Sequence, residues 1–480
     1  MSYEILTAKL FWKTAFKNKA VFLLTLFIGV LLVYAAYTGW SNFKTQNEIR
    51  TKYQAEARKD WLSNPDKHPH RMAHYGHFAF RPKAPLSVFD FGMESFFGSM
   101  IFLEAHKQNT VNFSEASFST GMLRFGEISI AMILQVLLPL LIFFIGFGAI
   151  ATERQNGTLK ILLSQGLTWR SLILGKSLGI IAVVMTLFVP IVLTMIGLCF
   201  ILQESDFSKD EIFRLFLIIV FYFIYLGIFC VVAVLISAVS KTSKTALTSL
   251  IGIWLFFTII LPRASQALGS SIYETPSKAK FTSAIHKDVL QFGDSHNPND
   301  PYYKKLKDSL LAVYKVDSLK KLPFNYSGYQ MREGEKISAN IYNQHYDQLL
   351  NIYEKQNSFS KAMAFVNPFM AIKNISMALS STDFASFTDF QKQAEKYRYH
   401  LAQEMNELQM KYISNDAEGS SGKKHILDKK HWEEVEEFEY KPSNISLVFK
   451  NELISFFAFA FWIVLLVFFS NKLSKTLKAI

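Results

Sequence analysis

Cysteine is nearly missing from this chain: among 480 residues only Cys199 and Cys230 occur, and both fall inside long apolar runs. No disulfide can staple the polar segments, which must fold on packing alone. Charge is also scarce, at 19% of residues, while half of the residues are apolar and Phe alone numbers 45. Such a balance excludes a chain built only of soluble domains. Nucleotide and hydrolase signatures are missing too. Gly175-Lys176-Ser177 has the ending of a phosphate-binding loop, but that loop needs a glycine five residues earlier so that its backbone amides wrap the phosphates, and Arg170 stands there. Neither G-x-S-x-G nor H-E-x-x-H occurs, and the carboxylates of the polar segments have no paired arrangement. Nothing therefore nominates an enzyme, and no cofactor is expected in this chain.

What is present is a set of six apolar runs, at 21–40, 128–150, 171–202, 213–239, 246–261 and 453–470, the fifth being the shortest. About 18 residues of helix cross about 30 Å of hydrocarbon. The expected fold is therefore mainly α, a polytopic membrane protein with six transmembrane helices and two large, largely helical insertions at 41–127 and 262–450. The first run is too long and too apolar for a signal-peptide core and reads as a retained anchor. Of the net charge of +12, the segments 1–20, 151–176, 240–244 and 471–480 hold 11. By the positive-inside rule these face the cytoplasm, which puts both termini inside and both insertions outside. The basic excess is thus topological, and nucleic acid is not expected as a partner. No ionisable residue lies near the centre of the second, third or fourth run. That argues against a proton-driven pump, so energy must come from elsewhere. Pro139 and Pro190 interrupt two of the runs, where bends are expected.

Residues 1–20 place Leu6, Leu10, Phe11 and Phe16 among Lys9, Lys13, Lys17 and Lys19, the pattern of a helix lying in the membrane interface with its lysines at lipid head groups. In the first insertion, His68, His70, His74 and His77 fall within ten positions. Imidazoles so grouped suit zinc or copper. No Cys joins them and Asp66 is the only nearby carboxylate, so a polar loop with histidines bonded to water and backbone is the preferred reading. In the second insertion Phe387, Phe390, Ala394, Tyr397, Leu401, Met405, Leu408 and Tyr412 make a helical stripe, with Thr382-Asp383 as its start signal. Residues 415–430, with Gly419 and Gly422, read as a flexible loop.

The stretch around which the rest is arranged is the polar connection 151–170 between the second and third runs. It reads Glu153-Arg-Gln-Asn-Gly157-Thr158-Leu159-Lys-Ile-Leu162-Leu163, with Gly175-Lys176 following. Gly157 can break the chain, Thr158 can cap a short helix, and Leu159, Leu162 and Leu163 can offer an apolar face to a soluble partner, with Lys160 at the rim.

These residues resemble the cytoplasmic loop of ABC-2-type transporter permeases, E-R-x-x-G-T-L-x-x-L-L followed by G-K. In that family the loop is the coupling helix that docks on a separate ATPase subunit. The resemblance implies ATPase-coupling roles for Glu153, Arg154, Gly157, Thr158, Leu159, Leu162 and Leu163, and for 1–20 the family's elbow helix. It implies two ATPase copies carrying ATP and magnesium, a second permease of the same or a related kind, and a bacterial inner membrane as location. The function implied is export or extrusion of a substrate; the large external mass also suits transduction of ATP energy to an extracytoplasmic accessory protein without transport, and the histidine cluster at 68–77 a metal-handling membrane protein.

Further residues are similar to a bacterial ABC-2 permease subgroup that carries the domain of unknown function 3526. They are His74-Tyr75-Gly76 with Phe80 and Pro82, the passages 86–92 and 101–109, Asn367-Pro368 with the following Met377-Ala-Leu379, Thr382-Asp-Phe384, and Ala394-Glu-Lys-Tyr-Arg398. His68, His70 and His77 lie outside that pattern. Ser381 stands where the pattern has Gly, which implies a shifted helix start.

Overall fold

The computed structural model describes residues 2–109, 127–201, 208–293, 295, 297, 299–415 and 425–478. Most of the loop at 415–430 and residues 110–126 of the first insertion lie outside these. Among the described residues, six helices are long and apolar enough to cross a membrane. In chain order the labelled elements begin with α1 (Tyr3–Ala15), α2 (Lys19–Leu62), α3 (Pro69–Tyr75), β1 (His77–Phe80) and β2 (Met100–Leu103). Then come α4 (Ile130–Gly146, with a π turn over Ile133–Leu137), α5 (Ala151–Gln155), α6 (Thr158–Ser164), α7 (Trp169–Ile201), α8 (Lys209–Val239) and α9 (Ser243–Ile272). The second insertion holds α10 (Lys278–Phe292), α11 (Pro301–Tyr314), α12 (Tyr326–Ala362), α13 (Pro368–Leu379), α14 (Phe384–Tyr412) and α15 (Ile445–Asn451), and α16 (Leu453–Thr476) closes the chain. The membrane-spanning helices are α2, α4, α7, α8, α9 and α16.

Two helices run past their apolar runs. Helix α2 has 44 residues, about 66 Å at 1.5 Å per residue, roughly twice the hydrocarbon thickness. Its second half is polar, with Lys44–Glu48 and Lys52–Glu56 pairs at i,i+4, so the helix needs no hydrocarbon there. Helix α9 runs past 262, where the second insertion is expected to begin. Pro262 removes a backbone donor, yet it sits just after a π turn over Phe256–Ile260, and the helix continues to Ile272.

The membrane domain is packed around α4 and α8. Leu134, Leu138 and Ile142 of α4 and Tyr222, Tyr225 and Cys230 of α8 are fully enclosed. A Cβ on Gly146 would lie 2.6 Å from the Cβ of Ala233, so glycine is what permits this approach. The Gln135 carbonyl, whose α-helical donor would be the amide hydrogen that Pro139 lacks, accepts from the Tyr225 hydroxyl at 2.6 Å, while the Gln135 amide donates to Tyr222 at 2.6 Å. Tyr222 in turn meets Ser376 of α13 at 2.8 Å, and Ser376 donates to Asp90.

The two insertions fold as one head rather than separately. Trp61 of α2, Met72 of α3, Leu401 and Met405 of α14 and Trp432 share one core. Ala79 and Ile101 of the β1–β2 hairpin share another with Phe390 and Phe438. Strands β1 and β2 pair antiparallel, His77 opposite Leu103. The Trp61 indole donates to the Trp432 carbonyl at 2.8 Å, the Trp432 indole to that of Pro65 at 3.2 Å, and Arg58 to that of Val435 at 2.9 Å. Helix α14 follows the apolar stripe from its Asp383 cap, whose carboxylate accepts from the Ser386 amide at 3.1 Å. Ser381 adopts φ 56, a left-handed conformation that suits Gly. Helix α14 starts at Phe384, as the Thr382-Asp383 signal predicts, and hydrogen bonds hold Ser381 in place, its carbonyl accepting from Arg81 at 2.8 Å and its hydroxyl from Arg214 at 3.3 Å.

Candidate functional site

The connection between α4 and α7 forms two short helices set on the end of the membrane domain. Its geometry begins where α4 stops, at 147–150. The Ser237 hydroxyl of α8, fully buried, accepts from the amides of Ile150 and Ala151 at 3.0 Å each and donates to the Phe147 carbonyl at 2.8 Å. One side chain thereby satisfies the backbone groups that the break in α4 leaves open. Arg154 donates to the carbonyls of Ala238 at 2.7 Å and Ser240 at 2.5 Å, closing the C-terminus of α8, where a cation also meets the negative end of the helix dipole. Its guanidinium lies 5.9 Å from the Trp169 ring. Glu153 pairs with Lys176 of α7, and Lys176 lies 5.5 Å from the ring of Phe11. Gln155 accepts from the Ser243 amide at 3.0 Å.

Glu153 and Arg154 therefore face inward and tie α5 to α7 and α8. Lys176 is an ion-pair partner inside a helix and belongs to no phosphate loop. Gly175 and Gly179 face α1: a Cβ on them would lie 2.6 Å from Thr7 and 2.7 Å from Phe11. These glycines let α1 lie along α7, and Glu4 of α1 accepts from Ser171 at 2.6 Å.

Helix α6 differs in detail from the expectation. Its N-cap is Gly157, at φ 77, and Thr158 is its first residue; the Thr158 hydroxyl donates to the Glu153 carbonyl at 3.1 Å. The left-handed turn is the reason, since it re-aims the chain before a threonine could cap it. Leu159 is fully buried and belongs to the membrane core, and Leu163 packs against that core. Leu162 is half-buried. The outward apolar residue is Ile161, 56% exposed, flanked by exposed Lys160, Ser164 and Gln165. Sequence spacing alone could not distinguish which face of a seven-residue helix points home.

The histidines of the first insertion are also redistributed. His70 and His74 sit at i,i+4 on α3, and the turn after β2 brings His106 to them. Candidate ligand atoms of the three lie within 4.8 Å of one another. His68 stands apart as the N-cap of α3, its Nδ1 accepting from the His70 amide at 3.1 Å. His77 is buried in β1, stacked on Trp61 at 5.3 Å, its Nδ1 accepting from the Phe78 amide. The expected set His68, His70, His74 and His77 is thus corrected: capping and core packing use His68 and His77. His106 was missed because it lies 32 positions beyond His74, although the family resemblance already covered 101–109.

Behind His106 is a charge cluster that sequence reading also missed. Glu335 of α12 is fully buried. One of its oxygens accepts both the His106 amide at 3.0 Å and His106 Nδ1 at 2.9 Å. Arg398 of α14, 1% exposed, pairs with Glu335 at 2.7 Å and with Glu395 at 2.7 Å, and reaches the Glu104 carbonyl. Burial pushes the Glu335 carboxyl up, but the His106 hydrogen bond and the Arg398 charge outweigh it and hold the carboxyl down at about 2.

Residues 100–279 match the ABC-2 family transporter protein family, and residues 278–441 match a domain of unknown function, DUF3526. No curated protein matches the chain. The first match covers the whole α4–α9 region with its loop, and the second covers the bulk of the later insertion. A membrane location, the role of a permease, and an ABC ATPase subunit as partner go with the first. An ABC-2 family transporter domain followed directly by a DUF3526 domain is the make-up of the permease of an ABC transporter.

Proposed function

We propose that this permease converts ATP binding and hydrolysis on a separate subunit into movement of its membrane helices and head, exporting or extruding a substrate. The observation that carries this is the division of labour in the loop. Inward-facing Arg154, Glu153 and Ser237 fasten it to α7 and α8, while outward-facing Ile161 and Lys160 remain for a partner. The loop and both termini face the cytoplasm, and the joined insertions face outward from a bacterial inner membrane. The full complex contains two permeases, two copies of this chain or one and a related chain, and two ATPase subunits that hold ATP and magnesium. Closure of the ATPases pushes on α6, and the anchored loop moves α8 with it. A second reading has the same motion act on an extracytoplasmic partner without transport. The interlocked head, with Trp61 and Trp432 bridging the two insertions, supports it.

The test is Ile161→Asp against Leu163→Asp. A half-exposed isoleucine buried in a groove contributes about 1–1.5 kcal/mol, and a carboxylate forced there costs about 1–3 more. Ile161→Asp should weaken ATPase docking by about a hundredfold or more while leaving thermal stability unchanged. Leu163→Asp, which faces the core, should lower stability as well. Full ATPase copurification and turnover with Ile161→Asp would refute the docking face.

A further inference from the structure

We propose that His70, His74 and His106 bind one divalent transition ion, of which zinc and copper(II) are the kinds suited to three imidazoles. The ring centroids are 4.7 Å apart for His70 and His74, 5.5 Å for His70 and His106, and 5.3 Å for His74 and His106. Ion–nitrogen bonds of about 2.0–2.1 Å in a tetrahedral centre separate the nitrogens by about 3.3 Å. Ligand atoms already within 4.8 Å reach that spacing by side-chain rotation alone.

The surroundings are those of a built site. Histidines that ligate metals commonly donate their second ring nitrogen to a carboxylate, which fixes the tautomer and aims the other nitrogen at the ion. Glu335 stands in that place: it accepts His106 Nδ1, which leaves Nε2 as the ligand atom. The same oxygen accepts the His106 amide and so holds the backbone at φ 61, a left-handed conformation that a non-glycine residue adopts only when its surroundings hold it there. Glu335 is fixed in its turn by Arg398, itself pinned by Glu395. Burying so many charges stabilises a fold little compared with apolar packing; its effect here is to set the orientation of one histidine. His70 and His74 project from one face of α3 at i,i+4. His74 is exposed, which provides the entry. An ion at this point bridges α3 to the turn after β2, and through Glu335 to α12, so it clips the first insertion to the second.

The experiment uses the full chain in detergent, stripped by chelator and titrated with Zn²⁺ alone, with calorimetry and thermal unfolding as readouts. The expected result is one Zn²⁺ per chain at micromolar affinity or tighter, with a rise in Tm on binding. His74→Ala and His106→Ala should each weaken binding by about tenfold or more, and Glu335→Gln, which reaches the ion only through His106 and also loses its charge toward Arg398, by about ten- to a hundredfold. His68→Asn, which retains a capping acceptor, should bind as the wild type does. Absence of Zn²⁺ uptake by the wild type at micromolar concentration, or unchanged affinity in His74→Ala combined with His106→Ala, would overturn the assignment. An equal loss in His68→Asn would do the same.

Discussion

Arg154→Ala removes a guanidinium that bridges the carbonyls of Ala238 and Ser240 and so fastens the loop to the end of α8. Each hydrogen bond from a charged donor contributes about 1.5–3 kcal/mol, and a cation at a helix C-terminus about 0.3–1. Arg154 is half-buried, so water can reach the abandoned carbonyls and the lower end of the range applies. The expected loss is about 2–4 kcal/mol. A folded domain typically has about 5–15 kcal/mol in hand, so the variant still folds. The outward face of α6 is untouched, so ATPase binding should survive. What should fail is transmission: the ATPase copurifies, but its turnover no longer responds to the permease. Arg154→Lys should recover no more than about half of the stability, because a point charge cannot fork to two carbonyls. Thermal unfolding in detergent measures the first effect, and ATP turnover of the copurified complex the second. Arg154→Ala with wild-type stability would refute the geometry, and wild-type turnover in a destabilised variant would refute the route.

Gly146→Ala should destabilise by about 1–3 kcal/mol, because the new methyl would lie 2.6 Å from the Ala233 Cβ and 3.1 Å from Ile180. Adding Ala233→Gly should recover part of that loss in thermal unfolding, less about 1 kcal/mol for glycine in a helix; a double variant less stable than Gly146→Ala alone would show that the contact is wrong. His77 gives a pH prediction. Burial, with the Arg58 charge adding to it, pushes its imidazole down from 6.5 to about 4. Above about 6.5 both folded and unfolded chains are neutral there, so stability is unaffected; below it the unfolded chain binds the proton first, and stability falls until the folded form protonates near 4. The loss should reach about 3 kcal/mol relative to His77→Phe, read from unfolding between pH 7 and 4, and parallel pH profiles for the two proteins would contradict it.

The apolar runs were legible because a bilayer imposes one length and one polarity on any helix that crosses it. Where that constraint ends, so did legibility: α2 continues through charged residues, and α9 continues through Pro262. The loop was legible as a motif but not as a set of directions. Glu153 and Arg154 are anchors, Leu159 is core, and only the three-dimensional placement of α6 singles out Ile161. The histidine set was half legible. His70 and His74 are neighbours in sequence, whereas His106 reaches them through the β1–β2 hairpin and is aimed by Glu335, 229 residues further on. No local pattern carries such a pairing. Ser381 shows the opposite case: the resemblance leads one to expect glycine there, and the structure has a left-handed serine held by two arginines.

Helix α8 is the element that touches both loop and head. It has 31 residues, about 46 Å of rod. At one end Ser237 and the carbonyls of Ala238 and Ser240 hold the loop. At the other, Arg214 is 4% exposed and donates to the carbonyls of Ala378 at 3.2 Å and Ser443 at 2.8 Å, while Asp210 holds it at 2.6 Å and accepts the Ile445 amide at 2.9 Å. Between these ends, Tyr222 joins Gln135 of α4 to Ser376 and Asp90. These contacts are directional and enclosed, so a shift or tilt of α8 cannot be absorbed by sliding, as it could across an apolar interface; it must move α13 and the start of α15. On the proposed reading the same rod drives the head whether a substrate passes or not. Transport and transduction differ in what the head meets, and they share the lever that moves it.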